Sequence, residues 1–441
     1  MTPLTRSERR WLIALLAVAL ILRVAYSLNL DAREPYTDQG GDARWYLDVG
    51  YRFIAGEVGV VVPSGPVYLL FAGAWQRLLG QGAGAILAIR VTQALLSVAT
   101  VYFAYLIARR LGESARAGLI AAGILAVSPV FVLEQAQILT ETLYVALVMG
   151  GLALALPVIA RLRGMGPVRA GALALAGAVF GLATLTRAVF LLYPVALALF
   201  IAWLGGRQSL RAVALLLAVY AAVVLSWTAY NWVRFREVVI GAQGITSFAY
   251  MGARGWTGPQ GLDAQLLEDA PERASQDPLL NDRDPALVEG TWRAISGDPL
   301  GYAWRRVSEL GGAYLQPHGT VLFPGESVKE LARGWLADGR TFEGLIRVLR
   351  ADWFAPKLAL YLFHYATLAL GVAGIWLTRR RWTLAAPLAG FIVYLTLIHL
   401  VLMVTPRYLF PLEPIFAIFA ACAVAIVWQR REAQRTARSA G

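Results

Sequence analysis

Long apolar runs, separated by short arginine clusters or polar loops, recur along almost the whole chain, and this alternation sets the first expectation. A helix needs about 20 apolar residues to cross the hydrocarbon core of a bilayer. Ten runs meet or approach that length: residues 11–28, 83–108, 115–133, 138–160, 170–186, 188–203, 210–232, 356–377, 382–404 and 408–428. The fifth and sixth are short and nearly continuous, which predicts a hairpin turning at Thr186-Arg187. Two polar segments interrupt the series, 29–82 and 233–355. In the first, Trp45, Val49 and Phe53 recur every four residues opposite Arg44, Asp48 and Arg52, the signature of an amphipathic helix over 42–54. The stretch 66–79 is apolar but too short to span, so both read as helices lying along the membrane interface. The chain divides into an N-terminal transmembrane module (1–232), a large periplasmic loop (233–355) and a C-terminal group of transmembrane helices with a short basic tail (356–441).

Composition agrees. With 58% hydrophobic residues, 15% charged residues and a mean hydropathy of +0.58, a chain of 441 residues is an all-α polytopic membrane protein rather than a soluble one. The first run has no Ala-x-Ala-like cleavage site behind it and reads as a retained helix. Cys422 is the single cysteine, which excludes an intramolecular disulfide and a cysteine metal site. A net charge of +12 could suggest nucleic acid, but its placement argues otherwise. Arginines cluster at 6–10, 109–116, 161–169, 207–211, 379–381 and 430–438, all on one side if the chain crosses at each run. That is the positive-inside pattern, so both termini are expected in the cytoplasm and no nucleic-acid partner is expected. All but two of the 40 basic residues, Lys329 and Lys357, are arginine, a bias of GC-rich genomes that points to a bacterial inner membrane.

Against this background a few ionisable residues stand out. Asp42 begins the amphipathic helix, where it could be an N-cap or, standing at the membrane surface, a general base for a hydroxyl substrate. Asp48 has arginines four residues away on both sides and reads as a surface ion pair. Glu141 opens the fourth run, where the helix dipole favours a carboxylate and where it would also stand at the mouth of the bundle. Glu134 and Gln137, just before it, are expected to form a polar patch on the outer surface. Arg187 and Arg407 lie on the side where the positive-inside rule does not ask for arginine, and a guanidinium suits phosphate. Arg23 reads instead as a snorkelling residue. Of three histidines, His399 is kept as a pocket candidate because it precedes Arg407 by eight residues. Asp282-Arg-Asp284 has Asp-x-Asp spacing but lies in the outer loop, Gly80–Gly84 fails the context of a dinucleotide fingerprint, and there is no Walker A sequence.

The order of these features resembles the GT-C membrane glycosyltransferases, specifically the bacterial relatives of protein O-mannosyltransferases and aminoarabinose lipid A transferases (glycosyltransferase family 39-like). GDARWYLDVGYRFIAGE followed by PSGPVYLLFAGAWQRLLG is similar to the family's first outer loop, with Asp42, Tyr46, Gly56, Pro63 and Pro66 at its marked positions. SPVFVLEQAQILTETLY is similar to its second, whose Glu fits Glu141; Thr186-Arg187 and RYLFPLEP, with Arg407, Tyr408, Pro411 and Pro414, complete the order. The resemblance implies a GT-C-like bundle and an inverting transfer of sugar from a polyprenyl-phosphate donor to a glycolipid, glycan or protein hydroxyl, on the periplasmic side. It implies Asp42 as general base, Glu141 as a companion carboxylate, Arg187 and Arg407 on the donor phosphate, and Trp45, Tyr46, His399 and Tyr408 around the substrate pocket. Many members carry Asp-Glu in the first loop, whereas Asp42 is followed here by Ala43, so no metal and no cofactor is expected. A lipid-sugar flippase or a polysaccharide polymerase or ligase are the alternative readings.

Overall fold

The computed structural model describes residues 4–30, 41–163, 170–255, 285–323 and 325–439. The Asp282-Arg-Asp284 pattern lies outside them. The described elements are helical: α1 (Arg6–Asn29), α2 (Asp42–Ile54), α3 (Pro66–Leu79), α4 (Ala83–Leu111), α5 (Ala115–Val127), α6 (Pro129–Glu134), α7 (Glu141–Arg163), α8 (Ala170–Thr184), α9 (Tyr193–Gly205) and α10 (Leu210–Phe235) come first. After them follow α11 (Ile245–Arg254), α12 (Pro285–Gly297), α13 (Pro299–Leu315), α14 (Val328–Ala337), α15 (Phe342–Leu349), α16 (Phe354–Leu377), α17 (Trp382–Val401), α18 (Pro406–Leu409) and α19 (Glu413–Ser439).

All ten predicted runs are helical. Eight give helices long and apolar enough to cross a membrane, and α5 and α8 are shorter apolar helices. The third run is cut because Pro129 disfavours helical backbone at Ser128, so α5 stops at Val127 and the short α6 begins anew. The carbonyls left open at the end of α5 are met by Arg23, whose Nη2 donates to Leu125 (2.9 Å) and Nη1 to Ala126 (3.0 Å), while Nε donates to the Ser97 hydroxyl (2.8 Å). Arg23 is fully buried, so the snorkelling expectation is wrong: its charge complements the negative end of a broken helix inside the bundle.

The clusters at 109–116, 379–381 and 430–438 meet at one end of the bundle. Arg381 donates to the Leu111 carbonyl (2.8 Å) at the end of α4, and Arg116 at the start of α5 pairs with Glu432 of α19 (2.6 Å). At the opposite end α2 and α3 occupy the predicted residues. They cross so closely at Gly50 and Gly73 that a Cβ on Gly50 would meet the Leu69 carbonyl at 2.8 Å and the Gly73 nitrogen at 3.2 Å. Trp45, Val49 and Phe53 pack with Val62, Leu69, Leu185 and Trp227, so the apolar stripe of α2 faces the bundle. Arg44, Asp48 and Arg52 face outward, Asp48 and Arg52 as the expected exposed pair (3.9 Å).

If Arg23 acts as a helix-end clamp, Arg23→Ala strands buried carbonyls and destabilises the fold by roughly 2–3 kcal/mol. Arg23→Lys, a full equivalent for snorkelling, recovers only part of this because an ammonium cannot bridge three acceptors on two helices. Unfolding free energies of the two variants in lipid or detergent, with exposed Arg52→Ala as control, check it.

Candidate functional site

The site grows from four chain turns at the end of the bundle opposite the arginine clusters. Gly41, at φ 78°, turns the chain into α2 so that Asp42 is its first residue. No side-chain cap bond forms there, which removes the N-cap reading. The segment before α7 is pinned from α4: Gln93 Nε2 donates to the Gln135 (2.7 Å) and Gln137 (2.6 Å) carbonyls, and Arg90 Nε to the Ala136 carbonyl (3.1 Å). This puts Glu141 at the start of α7 with a fully buried side chain. Arg187 caps a 3-10 turn, Ala188–Phe190, between α8 and α9. Arg407 stands on α18, where Pro406 at the first position starts the turn.

These four residues, far apart in sequence, form one ion-pair cluster. Arg407 grips Glu141 in a forked contact, Nε to Oε1 at 2.6 Å and Nη2 to Oε2 at 3.4 Å, and its Nη1 donates to Asp42 Oδ2 at 2.6 Å. Arg187 Nη1 donates to Glu141 Oε1 and to the Thr140 hydroxyl (3.1 Å), which in turn donates to Glu141 Oε2 (3.2 Å). Side-chain exposure rises outward from the centre: 0% for Glu141, 18% for Arg187, 20% for Arg407 and 46% for Asp42. Two carboxylates and two guanidiniums balance, so the buried charge of Glu141 is compensated and Asp42 faces the opening.

Aromatic rings wall the cluster. The Arg187 guanidinium lies 5.2 Å from the Tyr408 ring centre, and the His399 ring stacks on Tyr408 at 5.5 Å and 12°. Trp45 meets Tyr46 edge-on (5.1 Å), and Tyr46 meets Tyr68 (4.9 Å), whose hydroxyl donates to Gln93 Oε1 (2.7 Å). Burial, and after it the Asp42 carboxylate, push the Tyr46 phenol well above its ordinary range, so it stays a neutral donor. His399 Nδ1 lies 3.1 Å from the Met403 carbonyl and is buried, which makes it a support of the Tyr408 ring. Among the described residues no group of three or more His, Cys, Asp or Glu is arranged to hold a metal. Among the described residues the partner of Asp42 is the Arg407 guanidinium.

Three features escaped the sequence reading. Glu134 and Gln137 are buried rather than on the surface, and Glu134 Oε2 lies 2.6 Å from His318 Nε2, 184 residues away. Thr140 was passed over, although its place beside Glu141 was the available signal. Arg306 of α13 is buried and clamps the end of α17, donating to the carbonyls of His399 (3.0 Å), Leu400 (3.2 Å) and Leu402 (2.5 Å). No local pattern marked it.

Residues 61–232 match the profile of the family described as dolichyl-phosphate-mannose-protein mannosyltransferase. No curated protein matches the chain. Among solved structures it is similar to the archaeal oligosaccharyltransferase AglB from Archaeoglobus fulgidus in complex with an inhibitory peptide and a dolichol-phosphate. The TM-score is 0.55 at 15% identity, covering 99% of this chain and 52% of that one. The apo form of the Archaeoglobus fulgidus oligosaccharyltransferase gives 0.55 at 16% identity, with 98% and 52% covered. ArnT from Cupriavidus metallidurans bound to undecaprenyl phosphate gives 0.39 at 15% identity, with 94% and 78% covered. The chain thus spans about half the length of the oligosaccharyltransferases it matches. It shares its bundle fold with these oligosaccharyltransferases, and its segment 61–232, which contains Glu141 and Arg187, is similar to the mannosyltransferase family.

Proposed function

We propose that the chain is an inverting glycosyltransferase that moves a sugar from a polyprenyl-phosphate donor to a hydroxyl acceptor at the outer face of a bacterial cytoplasmic membrane. The observation that carries the reading is the Asp42–Arg407–Glu141–Arg187 cluster: one half-exposed carboxylate beside two guanidiniums that a buried carboxylate holds in place. An acceptor hydroxyl at the opening gives its proton to Asp42 as its oxygen attacks the anomeric carbon from the face opposite the phosphate. The bond from that carbon to the phosphate oxygen breaks, and the polyprenyl phosphate leaves with an additional negative charge. Arg187 and Arg407 take up that charge, which is where fixed donors lower a barrier most. Arg187 spends only Nη1 within the cluster, so its other N–H groups can turn to phosphate. Trp45, Tyr46 and Tyr408 offer ring faces and hydroxyls to the sugar. Glu141, sealed from solvent, suits the role of counter-ion to both arginines better than that of a second acid or base.

Two variants test the assignment in vesicles supplied with a polyprenyl-phosphate sugar and an acceptor. Asp42→Asn keeps an oxygen for Arg407 but no basicity, and its turnover should fall by roughly 100-fold or more with donor affinity retained. Wild-type turnover in that variant removes Asp42 as the base. Arg187→Gln should raise the donor KM by roughly 10- to 100-fold, the equivalent of one charge-assisted contact, while leaving the acceptor KM in place. A shift confined to the acceptor KM would take Arg187 off the phosphate.

A further inference from the structure

The helix α13 falls in the segment expected to be periplasmic, yet its polarity is inverted relative to a helix in water. Its charged groups point inward. Arg306 donates to the carbonyls at the end of α17 and to Gly252 (3.3 Å), Glu309 pairs with Arg306, and Arg305 donates to the Ala253 carbonyl. Its outward face carries Leu300, Trp304, Val307, Gly311 and Leu315, spaced four, three, four and four residues apart, with Leu300 84% and Trp304 73% exposed. Ser308 is the one polar side chain on that face. A soluble helix does the opposite, whereas a lipid-facing helix must turn its charges inward and satisfy each one there.

Depth agrees with polarity. The Tyr314 hydroxyl meets Thr396 Oγ1 at 2.6 Å, on α17 below the turn that Arg306 clamps. His364 Nε2 lies 2.8 Å from the Tyr314 carbonyl, and the Tyr365 hydroxyl donates to the Leu315 carbonyl at 2.8 Å. Tyr365 is eleven residues into the spanning helix α16, which at 1.5 Å per residue is roughly 16 Å from its start, about half of a ~30 Å hydrocarbon core. The outward stripe of α13 ends at Leu315, whose carbonyl meets Tyr365, and Tyr365 shares with Leu358 and Leu362 the exposed face that a spanning helix turns to lipid. The preceding helix supplies the contrast: α12 carries the exposed ion pair Glu289–Arg293 (2.7 Å), which belongs in water.

We infer that α13 is a re-entrant helix embedded in the leaflet on the site side, and that its Leu300–Leu315 stripe is an interaction surface for lipid acyl chains. The chain then enters the bilayer just after Asp298 and returns to water before the exposed Glu326–Arg347 pair, and the bilayer reaches the helix that packs against α18, the carrier of Arg407.

Nitroxide labels report the surroundings of each position directly. In a Cys422→Ala background, single cysteines replacing Trp304, Val307 or Gly311 are spin-labelled in vesicles, with Leu362 as lipid reference and Arg293 as aqueous reference. Accessibility to oxygen, which partitions into lipid, and to a water-soluble nickel chelate is read by power-saturation EPR. The expected result is high oxygen and lost nickel accessibility at 304, 307 and 311, as at 362, with the reverse at 293. Nickel accessibility at these positions like that at 293 would overturn the inference in favour of a water-exposed loop. Loss of both would overturn it in favour of a protein surface, a second copy of this chain included. All three positions are exposed, so a label at one that perturbs packing leaves the other two to decide.

Discussion

One guanidinium holds the functional end of this molecule together. Arg407 grips Glu141 from α7 and Asp42 from α2, so a residue on the last membrane segment joins the two helices that open the N-terminal half of the site. Glu141 would be costly where it lies if left alone, because removing one partner of a buried ion pair costs roughly 3–5 kcal/mol. Its burial therefore obliges the fold to bring Arg187 and Arg407 to it. The docking of α2 and α3 through Gly50 and Gly73, and the pinning of residues 135–137 by Arg90 and Gln93, place the remaining members around that obligation.

The membrane helices were legible because length and hydropathy dominate in a bilayer, and α2 was legible to its boundaries from its amphipathic period and α3 from an apolar length too short to span. The four ionisable residues of the cluster were also legible singly, since each is out of place by the positive-inside rule or by its position at a helix start. Their mutual contacts were not, because partners separated by 46 to 365 residues leave no spacing to read. For the same reason Asp42 had no visible partner in the sequence, although in the fold its partner is Arg407.

Arg23 and Arg306 show where an argument from membrane arginines needs structure. Both are buried in an apolar setting, and both spend their donors on the carbonyls at a helix end: Arg23 at α5, Arg306 at α17. A broken or terminated helix in a membrane protein leaves carbonyls that no water can satisfy, and a guanidinium with five N–H groups is well suited to meet several at once. By sequence Arg23 looks like Arg187 and Arg407, and Arg306 carries no mark at all. What separates them is the run of helix-end carbonyls that Arg23 and Arg306 satisfy, Arg306 beside its own Glu309, whereas Arg407 gives its donors to Asp42 and Glu141 and Arg187 gives Nη1 to Glu141 and Thr140.

That difference bears on which carboxylate can do chemistry. Glu141 has both oxygens engaged, by Arg407, Arg187 and Thr140, and no exposed surface. A proton arriving there would have to displace contacts that stabilise three other side chains. Asp42 accepts one bond, on Oδ2 from Arg407, and among the described residues its Oδ1 takes none. It stands half-exposed on an interfacial helix rather than a spanning one. The same arginine thus serves the two acids unequally, enclosing Glu141 and orienting Asp42. In the proposed mechanism, a cluster with its buried anion at the centre and its accessible anion at the rim would keep the guanidiniums near an incoming phosphate and leave one oxygen for a hydroxyl proton. The difference in burial follows from where each backbone turn delivers its residue: Glu141 at the head of a buried helix long and apolar enough to span, and Asp42 behind a left-handed glycine at the rim of the cluster.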